Sequence, residues 1–202
     1  MLRLVSYLVL ATMACIVNLL GDWVLSSSQH SIQRVLADTA AHGLTAGICH
    51  FMFVLFSPDY SYLRKWILSI CCTIASSAVD VDHFMAASSL DLNAALSFHG
   101  RPLLHCSTLA IGLTVSCWLI EGLFRPCQNQ VQWTWVLFWA FFTHHLRDAQ
   151  RRGLWFCPFN MNTRPVPTSL YVIILLLTPG LFSVSSRRWL ADHDRPGDTN
   201  VV

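Results

Sequence analysis

The chain has 202 residues, of which 54% are hydrophobic and only 12% are charged. Soluble domains carry about 25% charged residues, so this composition excludes an ordinary soluble domain and is typical of a multi-pass membrane protein. The formal net charge of +2 and the lack of a basic stripe argue against nucleic-acid binding.

Six apolar segments predict an all-α, multi-pass transmembrane helical bundle of about six spans. In chain order they are 2–25, 35–56, 66–86, 103–124, 131–146 and 169–184. The second must begin near Val35, because 43–56 is shorter than the roughly 20 residues that a crossing needs. The sixth is short enough to be re-entrant or interfacial instead. We expect one membrane-embedded domain, 1–186, followed by a polar and disordered tail, 187–202.

The eight cysteines show no C-x-x-C spacing, and most lie inside apolar runs. We therefore expect small buried thiols rather than disulfides or metal ligands. The chain has no N-x-[ST] sequon, and its Lys and Arg are spread too evenly over the two ends for the positive-inside rule to give an orientation.

Ionisable residues collect where the predicted helices would reach one membrane face. If the spans alternate in direction, the start of the second and fourth and the end of the third and fifth lie on the same side. These ends and the connection between spans three and four carry Asp38, His42, Asp80, Asp82, His83, His99, Arg101, His105, His144, His145 and Asp148. Ionisable groups at a bilayer edge are costly, so this gathering indicates a functional site.

Histidine with carboxylate is the ligand chemistry of hydrolytic Zn, Mn and Fe sites. Asp38/His42 and His144/Asp148 are four residues apart, so each pair lies on one helix face. The number of candidates would suffice for two metals, which can clamp the attacking and leaving oxygens of a phosphoester. Taken singly, each pair also fits a hydrogen bond at a helix rim or a solvated helix end.

The order of these motifs resembles a known family. His42-Gly43, Asp80-Val81-Asp82-His83, the block from His99 to Ser107, and His144 to Asp148 followed by Gly153 and Pro158-Phe159 are similar to the motifs of the YdjM-like membrane-bound metal-dependent hydrolases. That family is related to the zinc-dependent phospholipase C superfamily. The block after His99 departs from the family pattern, with Gly and Arg transposed and an offset before His105.

The resemblance implies a helical membrane protein with a metal site, and with the residues it gives the leading hypothesis of a metal-dependent hydrolase of lipid phosphoesters. Asp80, Asp82, His105, His144 and Asp148 would bind a divalent metal, zinc first, with manganese or iron as alternatives. His42, His83 and His99 would be further ligands or proton carriers, and Arg101 would hold phosphate. The expected partners are the bilayer and a lipid substrate. An ion- or proton-handling transporter and a non-catalytic membrane scaffold with a vestigial site are the alternatives.

Overall fold

The computed structural model describes residues 1–57, 60–98, 100–123, 133–159 and 161–193, with the side chains of the last helix described to Val184. The chain is almost entirely helical within these ranges. The helices are α1 Leu2–Ser27, α2 Ser31–Val54, α3 Tyr62–Ala78, α4 Asp82–Ala86, α5 Leu92–Ser97, α6 Ser107–Leu123, α7 Trp133–Arg152 and α8 Thr168–His193. Two short strands, β1 Trp155–Phe156 and β2 Met161–Asn162, pair antiparallel.

Helices α2 and α7 form the centre of the bundle. α2 packs against α1, α3, α7 and α8, and α7 also packs against α3 and α6. The core between them is built from small and aromatic side chains, including Ala46, Cys49 and Trp139, all fully buried. By contrast, α1, α3 and α6 present many large apolar side chains outward, as expected of helices that face lipid.

The contact between α2 and α3 depends on two glycines one helical turn apart. A Cβ atom on Gly43 would lie 2.9 Å from the carbonyl oxygen of Thr73, and one on Gly47 would lie 3.0 Å from that of Ser69. The spacing is a G-x-x-x-G motif, which lets two membrane helices approach closely. The close approach brings the middle of α2 against the end of α3, where the predicted site residues lie.

Two helical segments of the described chain are long and apolar enough to cross a membrane: Leu2–Ser27 and Tyr62–Ala86. Ser107–Leu123 and Thr168–Val184 are apolar but shorter. Helices α2 and α7 overlap the segments predicted as spans 35–56 and 131–146, of which residues 131 and 132 are outside the described ranges, and neither helix belongs to these two groups. The count of six spans therefore stays a prediction.

Several boundaries differ from those predicted. The third span is not one continuous α-helix, since a 3₁₀ turn at Val79–Val81 separates α3 from α4. The connection 88–102 contains α5, whose first turn is capped by the Asp91 carboxylate accepting from the Ala94 N–H. The tail expected to be disordered from 187 begins in helix, because α8 continues to His193, and 194–202 lie outside the described residues.

The expectation of free thiols is wrong for Cys106 and Cys157, which form a disulfide with a Cα–Cα distance of 5.8 Å. The two residues are 51 positions apart in the sequence, and no local pattern relates them. They meet because the segment after α7 folds back onto the start of α6, where β1 packs.

Candidate metal centre

The structure brings the predicted ionisable residues to one end of the bundle, which we call the site end. The middle of α2 supplies His42, whereas the sequence predicted it in the first turns of the span, and the 3₁₀ turn between α3 and α4 supplies Asp80. A second 3₁₀ turn, Leu103–His105, supplies His105, and the last turns of α7 supply His144 and Asp148. His99 lies outside the described residues. Four chain segments thus contribute to one cluster, as the alternation of helices predicted.

The centre of the cluster is a pair of imidazoles between two carboxylates. The Nε2 atoms of His105 and His144 are 3.3 Å apart. The Asp80 Oδ1 atom lies 3.6 Å from Nε2 of His105 and 3.5 Å from Nε2 of His144. Asp148 Oδ2 lies 3.4 Å and 3.8 Å from the same two nitrogens. Two nitrogens and two oxygens therefore converge on one small volume.

In both rings Nδ1, the nitrogen that faces away from the cluster, has a partner that fixes the orientation of the ring. Nδ1 of His144 lies 3.0 Å from the carbonyl oxygen of Ser76, which can only accept, so this nitrogen carries the proton and Nε2 offers its lone pair to the cluster. Nδ1 of His105 lies 3.2 Å from the Asp82 carboxylate. Ligating histidines are characteristically fixed in this way by a carbonyl or a carboxylate behind the ring.

Two sets of three side chains have the geometry of a metal-binding group. The first is His42, His144 and Asp148, and the second is Asp80, His83 and His105. In each set the candidate ligand atoms lie within 4.8 Å of one another. The sets adjoin, because the rings of His105 and His144 are in edge contact at 5.0 Å. The arrangement could thus hold one ion or two.

His42 is the most deeply placed member of the first set. Its ring stacks on that of His144 with centroids 3.9 Å apart, and its Nε2 lies 3.5 Å from Asp148 Oδ1. Nδ1 of His42 is buried and has no hydrogen-bond partner among the described residues. An ion held with Asp148 would therefore take Nε2 of His42, the nitrogen that faces this carboxylate, and would leave Nδ1 unpaired among the described residues.

The electrostatics of the cluster centre on His105. Its ring faces three carboxylates: Nε2 lies 3.6 Å from Asp80 and 3.4 Å from Asp148, and Nδ1 lies 3.2 Å from Asp82. A divalent cation held among these groups would compensate the charge of the carboxylates.

Next to the cluster lies a buried arginine, which is not among the site residues predicted from the sequence. Arg147 is fully buried and donates to Asn18 at 2.6 Å, to Asp22 at 2.8 Å and to Asp38 at 3.3 Å. Arg151 also pairs with Asp38, at 2.8 Å. Asp38 in turn lies 3.7 Å from Nε2 of His42, so the arginines hold a carboxylate that faces the same nitrogen as Asp148 does.

A cavity of about 420 Å³ opens over the cluster. Its walls combine acidic and histidine side chains with arginines and apolar groups from α2, α4, α5 and the β1 segment. The lining includes Asp80, His83, His105, His145, Asp148, Arg101, Arg151, Arg152, Leu36, Phe84, Leu92, Leu154 and Trp155. Arg101 is anchored there by bonds to the carbonyl oxygens of Gly153 and Arg152.

Comparison with known proteins identifies relatives. The chain is 44% identical to transmembrane protein 267 of Mus musculus over 150 residues, which cover 74% of this chain and 67% of the relative. It is 37% identical to that of Danio rerio over 158 residues, covering 77% and 68%. The chain belongs to the transmembrane protein 267 family. No family model and no solved structure matches it.

Membership of this family makes the chain a membrane protein, with the lipid bilayer as its environment. The absence of a matching family model leaves the resemblance to YdjM-like hydrolases without support from that comparison. The name of the relatives says nothing of a metal or a reaction. Support for the chemistry of the site therefore comes only from the residues of this chain.

Two signals in the sequence could have pointed to the residues that were missed. Arg147 and Arg151 are four apart, on the helix turn that also carries Asp148, and such a pair in an apolar helix requires buried acidic partners. Gly43 and Gly47 likewise mark the α2–α3 contact. His145, which the sequence already placed at this end, lines the cavity, and its Nε2 is buried without a partner among the described residues.

Proposed function

We propose that the site-end cluster binds a divalent metal and that the protein is a metal-dependent hydrolase of lipid phosphoesters. The observation that carries the proposal is the 3.3 Å distance between the Nε2 atoms of His105 and His144, which lie between two carboxylates. The Nδ1 atom of each ring has its own partner outside the cluster, a carbonyl oxygen for His144 and a carboxylate for His105. Zinc is the first candidate, since imidazole and carboxylate are its common ligands in hydrolases, and manganese and iron are alternatives.

In this proposal the two sets of three side chains are the ligands. His42, His144 and Asp148 would form one site, and Asp80, His83 and His105 would form the other. Asp82 would orient His105 through its Nδ1 rather than bind the metal itself. Bound metal supplies Lewis-acid polarisation of a phosphoryl oxygen and lowers the pKa of a water molecule.

The cavity supports the choice of a lipid phosphoester. Arg101 and Arg152 lie at its wall, where a phosphate reaching the cluster would meet their guanidinium groups. Apolar side chains such as Leu36, Phe84 and Leu92 line the remainder and suit a hydrocarbon chain. The order of the motifs, which resembles that of the YdjM-like hydrolases, agrees with this substrate class.

The test is the metal content of detergent-purified protein, measured by mass spectrometry beside a His144→Gln/Asp148→Asn variant. We expect stoichiometric zinc, manganese or iron that the variant loses. His30→Ala is a matched control, since His30 is exposed at the same end and outside the cluster, and it should keep the metal. Folded protein that contains no metal and takes up none would overturn the proposal.

Hydrolysis is tested next, on vesicles that contain phosphoester lipids, with the metal-loaded protein. Release of the phosphorylated headgroup or of phosphate should require the metal and be lost in the His144→Gln/Asp148→Asn variant. Metal-loaded protein that cleaves none of the common phosphoester lipid classes would refute hydrolysis and retain only metal binding.

A second function, ion or proton handling, is favoured by buried polar residues deeper in the bundle. Asn18 donates to Thr45 at 3.0 Å, and farther along α2 the Nδ1 of His50 lies 2.9 Å from the Ser69 hydroxyl. Polar groups through the depth of a membrane bundle are typical of transport paths. Flux of protons or metal ions in proteoliposomes would support this function, while metal-free protein without flux would favour a scaffold.

A further inference from the structure

The disulfide and the acidic cluster lie at the same end of the molecule. Cys106 directly follows His105, and Cys157 lies beyond α7 in the segment whose Leu154 and Trp155 line the cavity. Arg101 links the same two regions through its bond to the Gly153 carbonyl oxygen. The cavity therefore opens to the same compartment that the disulfide faces.

From this arrangement we infer that the site end faces the oxidising side of the membrane, the lumen of the secretory pathway or the cell exterior. Disulfides persist in those compartments, whereas cytosolic thiols are kept reduced. A substrate would then reach the cavity from the lumenal or outer leaflet. This inference is independent of whether the site catalyses hydrolysis.

The Lys and Arg residues do not add to this assignment. The positive-inside rule concerns Lys and Arg in loops near the ends of spans. At the site end, however, Arg147 and Arg151 form ion pairs with Asp22 and Asp38, and Arg101 donates to backbone carbonyls. These three arginines are tied into the bundle and do not act as loop cations. At the opposite end, however, Lys65 is also buried and donates to the Leu55 carbonyl oxygen, so the balance of cations stays even and the orientation rests on the disulfide.

The directions of α1 and α8 show on which side of the bundle the two ends of the described chain lie. α1 runs toward the site end, where Asp22 meets Arg147, so the N-terminus lies at the opposite end. α8 begins after β2, at the site end, and its Gly180 N–H donates to the Tyr7 hydroxyl near the start of α1. Both ends of the described chain should consequently face the cytosol.

Glycosylation mapping tests this orientation, because the natural chain has no acceptor sequon. Arg164→Thr completes an N-x-T sequon whose acceptor is Asn162, in the exposed β2 segment at the site end. Gly197→Asn places an acceptor two residues before Thr199, in the sequence after α8. In mammalian cells we expect an endoglycosidase-sensitive shift for Arg164→Thr and none for Gly197→Asn. A shift for Gly197→Asn and none for Arg164→Thr would overturn the inference.

If neither variant is modified, a C-terminal epitope tag decides. Antibody access after selective permeabilisation of the plasma membrane supports the orientation, and protection of the tag in those cells contradicts it. The disulfide is tested separately by alkylating denatured protein from cells with a maleimide reagent. Prior reduction should expose two additional thiols in the natural chain and none in a Cys106→Ala/Cys157→Ala variant; no gain in the natural chain would remove the basis of the inference.

Discussion

At the residue scale, the Asp82 carboxylate contacts the nitrogen of His105 that faces away from the cluster. It is almost fully buried, and it accepts from the Leu104 backbone N–H at 2.6 Å while facing Nδ1 of His105. Asp80, two residues earlier, faces Nε2 of His105 instead and accepts from the Thr39 hydroxyl at 3.1 Å. The two aspartates of one short motif therefore contact opposite nitrogens of the same ring.

This difference predicts different effects of removing each charge. Asp82→Asn should weaken metal binding by about 10–100-fold while leaving the stoichiometry at saturating metal unchanged, because only the orientation of His105 is lost. Asp148→Asn should lower the stoichiometry itself. Competition with a chromophoric chelator measures both quantities, and Asp91→Asn, at the cap of α5, is the control. Unchanged affinity in Asp82→Asn would contradict the orienting role.

At the element scale, the site depends on how closely α2 approaches α3. Gly43 and Gly47 face Thr73 and Ser69 without side chains, and the Ser76 hydroxyl donates to the His42 carbonyl oxygen at 3.3 Å. The 3₁₀ turn after α3 then redirects the chain, so that Asp80 and Asp82 contact different faces of the cluster. The helix contact and the turn together set the separation of the two ligand sets.

Gly47→Val should destabilise the protein by about 1–3 kcal/mol, because its side chain must displace Thr73 and the α3 backbone. Gly112→Val is the matched control, since a Cβ at Gly112 meets nothing within 4 Å and its helix faces outward. Thermal unfolding in detergent compares the two variants. Equal melting temperatures would show that the α2–α3 contact tolerates separation.

At the scale of the whole molecule, Arg147 connects four helices. From α7 it reaches Asn18 and Asp22 on α1 and Asp38 on α2, and Asn18 accepts from the Tyr171 hydroxyl on α8 at 2.6 Å. A fully buried guanidinium is tolerable only because these partners compensate its charge. The network thus ties the site to the packing of the bundle.

Arg147→Met should cost about 3 kcal/mol of stability, at the lower end of the values for breaking a buried ion pair, because Arg151 still pairs with Asp38. Arg147→Lys should recover only part of this loss, since one ammonium cannot span three acceptors. Arg164→Met, at an exposed position, should change stability by no more than about 0.5 kcal/mol. Denaturation in detergent measures all three, and equal losses in the Met variants at 147 and 164 would disprove the structural role.

Composition and apolar segments were enough to predict a helical membrane protein and the gathering of Asp and His at one end. Both depend only on segment lengths and on the alternation of antiparallel helices, which can be counted along the chain. The Cys106–Cys157 pairing, the burial of Arg147 and the separate positions of Asp80 and Asp82 could not be predicted in this way. They depend on which helix faces meet and on how the segment after α7 folds back, and these long-range contacts are decided only by the packing of the whole bundle.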